Sequence, residues 1–104
     1  MADTLEARVL SAKHSQRELE SLLTEYRPFI ISAVLSVCPT GGDDAFQTGL
    51  IAFTQAVELY EKEKGSFLSL AKPIIKMRTV DFVRKEYNIR EDAVLDSSQN
   101  ETVN

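Results

Sequence analysis

The chain has 104 residues, 43% hydrophobic and 27% charged, with a net charge of −4; these values bound it to one globular domain with a modest core. A single cysteine, Cys38, and a single histidine, His14, exclude an internal disulfide and a soft-metal cluster of the usual kind. No apolar run has the length of a membrane span, and the opening MADTLEARVL mixes charged with apolar residues, unlike a signal peptide, so a cytoplasmic protein is expected.

In chain order, Thr4 to Lys13 reads as a short helix or arm, with Thr4 as N-cap and Leu5, Val9 and Ala12 on one side. Ser15-Gln16-Arg17-Glu18 has the spacing of a capping box, and Leu19, Leu22, Leu23, Tyr26, Phe29, Ile30 and Val34 keep helical spacing to about Val37. Pro28 falls inside that run and predicts a kink or a break. Cys38-Pro39-Thr40-Gly41-Gly42 is a loop. From Asp43 a second helix carries Phe46, Leu50, Phe53, Val57 and Tyr60 as its expected buried stripe. Asp43 and Asp44 stand at its start and Lys64-Gly65 at its expected end. Gly49 in its interior predicts a close approach of another backbone.

A last helix, capped by Ser66 or Ser69, bears Phe67, Leu70, Ala71, Ile74, Ile75, Phe82 and Val83 on a broad apolar face, with Pro73 near its first turn. Residues 91–104 are mostly acidic, amide and hydroxyl types, the composition of a disordered tail or linker. No strand-like alternation and no internal repeat occur. The expectation is therefore an all-α fold, a compact bundle of three to four helices: a short helix or arm over 1–14, a helical domain over 15–90, and a disordered tail or linker over 91–104.

The charge is unevenly placed. Residues 72–90 hold Lys72, Lys76, Arg78, Arg84, Lys85 and Arg90 against Asp81 and Glu86, a local +4, which leaves −8 for the rest of the chain. A basic stripe on an acidic body concentrates positive potential where a polyanion can use it, although charge alone fits a solvated helix face equally well. Nothing has the makings of catalysis. The carboxylates sit along helix surfaces and caps, and no nucleophile elbow, phosphate loop or metal motif is present. No cofactor, metal or small-molecule substrate is expected.

The specific signal is an ordered combination. The segment D-D-x-x-Q-x-G-x-I-A-F-x-x-A-V-x-x-Y-x-x-x-K-G from Asp43 is followed by F-L-S-x-A-x-x-x-I-x-x-x-x-x-D-x-x-R-K from Phe67 and preceded by Tyr26-Arg27-Pro28-Phe29-Ile30. Over residues 15–87 it resembles region two of the sigma-70 family of bacterial transcription initiation factors. Gly49-Leu50-Ile51-Ala52-Phe53 and Asp81-Phe82-Val83-Arg84-Lys85 make it most similar to the sigma-I branch, which works with a membrane-bound anti-sigma partner. The resemblance implies that the acidic helix docks on the clamp helices of the RNA polymerase β′ subunit. Asp44, Gln47, Thr48, Ile51, Gln55 and Glu58, which lie opposite the apolar stripe, would form that surface. It implies that the basic helix meets the minus-ten promoter element, with Lys72, Lys76, Arg84 and Lys85 on phosphates and Arg78 and Thr79 on bases.

Two departures stand out. Housekeeping members carry paired tryptophans and tyrosines that stack on unpaired bases; the corresponding stretch here has Leu70, Pro73 and Ile74, with Phe67 as the aromatic left nearby. No helix-turn-helix segment follows, as expected of an N-terminal domain from a longer factor or of a free-standing region two. The rival reading is a protein-interaction module whose main partner is an anti-sigma protein, without DNA binding of its own.

Overall fold

The computed structural model describes residues 4–98, with side chains from Thr4 to Glu86. Five α-helices follow one another: α1 (Leu5–Ala12), α2 (Gln16–Glu25), α3 (Arg27–Val37), α4 (Asp43–Leu59) and α5 (Phe67–Ser98). A 3-10 turn at Lys62–Lys64 lies between the last two. The expected all-α bundle is present, and no strand occurs among the described residues.

The helix starts follow from capping chemistry. Thr4 Oγ1 accepts from the Ala7 amide at 3.0 Å, and Ser15 Oγ accepts from the Glu18 amide at 3.2 Å. The Glu18 carboxylate does not complete a capping box. It accepts from Arg8 instead, at 2.9 Å, and Glu25 takes the other arm of the same guanidinium at 2.8 Å. Both partners push the Arg8 pKa above its ordinary value. α1 is thereby tied to both ends of α2, and its Val9 and Ala12 enter the common core.

Pro28 produces a break. α2 stops at Glu25, Tyr26 is the hinge, and the proline occupies the first turn of α3, where its missing amide proton costs nothing. α4 starts one residue earlier than a side-chain cap at Asp43 would place it. Gly42, at φ 111°, is the cap residue, and Asp43 and Asp44 lie in the first turn, where their charge meets the helix dipole. α4 also ends earlier than Lys64-Gly65, at Leu59. Tyr60 turns into extended backbone, its ring enters the core, and its hydroxyl donates to the Gly65 carbonyl, so the aromatic anchors the connection that it begins.

The core sits where α3, α4 and α5 meet, around Tyr60, Phe53, Phe67, Leu22, Ile30 and Ile75. Phe67 packs edge-on against Phe53 at 5.3 Å and against Tyr60 at 5.7 Å between ring centroids. The buried face of α4 is rotated from the aromatic stripe toward its small residues. Ala45, Gly49, Ala52 and Ala56 are fully buried with Phe53 and Val57, whereas Phe46 and Leu50 are half-buried. A row of small side chains lets α5 approach closely, and α4 against α5 is the most extensive helix pair. At Gly49 the close neighbours are side chains of α3. An added Cβ would lie 2.6 Å from Val34 Cγ2 and 3.0 Å from Ile30 Cγ2, so no second backbone is the cause.

α5 begins at the cap Ser66, whose Oγ accepts from the Ser69 amide at 3.4 Å, and Glu6 of α1 accepts from the Phe67 amide at 2.9 Å. Pro73 lies in the second turn, deeper than first-turn tolerance requires. The carbonyl it leaves without its helical partner belongs to Ser69, which is exposed, so the cost of the missing bond is small there. No glycine or further proline interrupts the chain before Ser98, and Glu91, Ala93 and Leu95 are good helix formers, so the helix runs through part of the segment expected to be a tail. The rest of that segment, 99–104, lies outside the described residues.

Candidate functional site

Two helices position the candidate residues. On α4, Asp44, Gln47, Thr48, Ile51, Gln55 and Glu58 fall within an arc of about 100° at 3.6 residues per turn. That arc is centred opposite the buried row. Asp44, Gln47, Ile51 and Glu58 are exposed, and Thr48 and Gln55 are half-buried. Ile51 is 58% exposed, an apolar side chain of a kind that normally seeks cover. The Thr48 hydroxyl donates to the Asp44 carbonyl at 3.0 Å, so it serves its own helix. α4 contains acidic residues and no lysine or arginine.

On α5 the six candidates do not form one stripe. Thr79 is fully buried and its hydroxyl donates to the Ile75 carbonyl at 2.8 Å. It is a core residue, and the expectation that it contacts a base is corrected: a β-branched side chain with a polar tip fills the α5 core because its own helix satisfies the hydroxyl. The remaining five divide by azimuth, Lys72 and Lys76 lying about 120–160° around the helix from Arg78. Lys72 and the half-buried Lys76 line one flank, and Arg84, exposed near Met77 (55% exposed), also borders the side that faces α4. Arg78 and Lys85 turn toward α4, and the Arg78 Nε donates to Gln55 Oε1 at 2.9 Å. Phe67, the aromatic nearest the missing tryptophans, is fully buried and cannot stack on a base without leaving the core.

The two sets of residues therefore meet. Thr48, Ile51, Ala52 and Gln55 form one wall of a groove of about 490 Å³, and Arg78, Asp81, Phe82, Arg84 and Lys85 form the other. Sequence reasoning assigned these walls to separate faces. Helical spacing resolves which side of one helix a residue takes, but not the angle at which two helices are set together. Among the described residues the ion pairs are those of Arg8, so no carboxylate neutralises Arg78, Arg84 or Lys85 there. No group of three or more His, Cys, Asp or Glu side chains among the described residues could hold a metal ion. Nor is any described helix long and apolar enough to cross a membrane.

The model of sigma-70 region 2 matches residues 22–88. The chain is 44% identical over 88 residues to RNA polymerase sigma factor SigI of Bacillus subtilis, an alignment covering 80% of this chain and 35% of that protein. It is 38% identical over 82 residues to SigI of Bacillus anthracis (75% and 34% covered) and 34% identical over 87 residues to SigI7 of Acetivibrio thermocellus (80% and 37% covered). No solved structure matches significantly. The chain belongs to the sigma-70 family, through its region 2, in the SigI branch. It spans about a third of the length of these relatives.

Proposed function

We propose that the chain is a domain of a bacterial transcription initiation factor that binds core RNA polymerase through α4 and promoter DNA through α5. The observation that carries this reading is the outer arc of α4. Among the described residues its polar and acidic side chains have no hydrogen-bond or ion-pair partner in another helix except Gln55, and they surround an apolar residue, Ile51, left 58% exposed. An apolar centre ringed by polar groups is the anatomy of a docking surface, and the clamp helices of the β′ subunit are the partner that the family suggests.

The outward flank of α5 supports the second half. The exposed Lys72 and Arg84 and the half-buried Lys76 suit the phosphates of the minus-ten element. With Phe67 buried, melting would rest less on aromatic stacking than in the housekeeping members and more on backbone contacts. Regulation by a membrane-bound anti-sigma protein, and a place in the cytoplasm beside the polymerase, complete the proposal on the strength of the SigI relationship.

The test is binding of the folded chain to core polymerase. Ile51→Asp should weaken it at least tenfold and Gln47→Ala by a smaller factor, with melting temperatures unchanged. Wild-type affinity in both variants would remove α4 from the interface.

A further inference from the structure

We propose that the groove between α4 and α5 is a binding site for a small amphipathic organic anion, with a compact apolar body and one phosphate or carboxylate group. The site stands on the groove alone. Its regulatory consequence, exclusion of the polymerase by a ligand lying over Ile51, rests on the reading of α4 as the docking face.

The lining selects the charge. On the α4 wall Thr48, Ile51, Ala52 and Gln55 carry no ionisable group. The α5 wall sets Arg78, Arg84 and Lys85 against Asp81, a local +2, and among the described residues none of these three cations is ion-paired. They fall within about 10 Å, two turns of one helix, and an anion seated among them relieves their mutual repulsion. Arg78 is already aimed. Gln55 Oε1 accepts from its Nε at 2.9 Å, which leaves the two terminal nitrogens to bind an oxyanion.

The floor selects an apolar body. Ile51, 58% exposed, and the half-buried Phe82 flank the buried Ala52, so a ring or branched chain laid there covers apolar surface that water otherwise wets. The volume of about 490 Å³ lies in the range of small-molecule sites, roughly 300–1,000 Å³. A second cleft, of about 550 Å³, shares Phe82 but is lined by Asp43, Asp44 and Glu86 with no cation, so an anion has reason to choose the first.

The experiment titrates the folded chain with naphthyl phosphate, naphthol and inorganic phosphate, followed by amide resonances. Naphthyl phosphate should bind at least tenfold tighter than either other compound and shift Ile51, Gln55 and Arg78 while leaving Gly41 and Asp43 in place. Arg78→Gln with Lys85→Gln should remove that advantage, Ile51→Asp should weaken both aromatic compounds, and Lys62→Gln, on the turn before α5, should change nothing. All four positions are exposed, so the variants should melt like the wild type. Saturating naphthyl phosphate should weaken binding to core polymerase at least tenfold.

Naphthol or inorganic phosphate binding as tightly as naphthyl phosphate would overturn the proposal, as would an oligothymidine that shifts the same resonances at a lower phosphate concentration. If naphthyl phosphate shows no preference for the groove while Ile51→Asp still weakens polymerase binding, polymerase docking stands and this inference falls. If it binds selectively but polymerase affinity is indifferent to Ile51→Asp, the docking reading falls and the anion site remains.

Discussion

Gly49 shows how a single residue can be read correctly for the wrong reason. Its presence in a helix interior signalled a close contact, but the contact is with the β-branched side chains of Val34 and Ile30, which have little rotameric freedom within a helix. Alanine would gain about 1 kcal/mol in helix propensity. It would also drive a Cβ to 2.6 Å from Val34, an overpacking that typically costs 1–3 kcal/mol or somewhat more when backbones must part. We expect a net loss of about 1 kcal/mol or more for Gly49→Ala, read from the denaturation midpoint; a gain in stability would mean that α3 yields freely. Tyr60 offers a second test. Burial, followed by the nearby Glu6 and Glu63 carboxylates, raises its pKa above the ordinary value of 10.0. The neutral phenol is therefore the form the fold prefers. Its contribution is complete below the unfolded-state pKa and declines as pH rises from there through the raised folded value. Tyr60→Phe should flatten that alkaline loss relative to wild type while lowering the melting temperature at neutral pH, because the donor to Gly65 is gone. Parallel pH profiles for the two proteins would contradict this account.

Among the elements, those announced by local chemistry were the legible ones. Thr4 and Ser15 cap where hydroxyl spacing placed them, and Pro28 divides α2 from α3. What depended on distant partners was not legible. The rotation of α4 toward Ala45, Gly49, Ala52 and Ala56 follows from how closely α5 can approach, which no pattern along α4 alone expresses. Its end at Leu59 follows from the pull of Tyr60 into an aromatic cluster with Phe67. α1 is the clearest case. Its helix and cap were legible, but not that Arg8 grips Glu18 and Glu25, or that Glu6 caps α5 from across the molecule. These ion pairs are partly solvated, with the Arg8 side chain 22% exposed. Arg8→Ala should therefore cost only about 1 kcal/mol, and the deficit should shrink as salt screens the pairs. A deficit that salt leaves unchanged would assign the role of Arg8 to packing of its aliphatic stem.

At the scale of the whole molecule, an acidic helix and a basic helix are packed side by side, so one domain can face two partners of different chemistry. The candidate residues of α4 were legible because they lie on one arc of one helix. Those of α5 were legible as residue types but not as a surface. Thr79 belongs to the core, Arg78 turns toward α4, Arg84 is exposed but borders the same groove, and Lys72 and Lys76 lie on the flank away from it. On the proposed function, that division predicts that assembly and promoter opening are separable. The most direct measurement is in-vitro transcription by holoenzyme assembled with this chain, run beside an assembly assay on the same preparations. Lys76→Ala and Arg84→Ala should leave assembly intact and reduce promoter opening, most at low salt and less as salt rises, because each removes a phosphate contact and so lowers the salt dependence. Opening at the wild-type level in both variants, across that salt range, would contradict the assignment of DNA to the outward flank of α5.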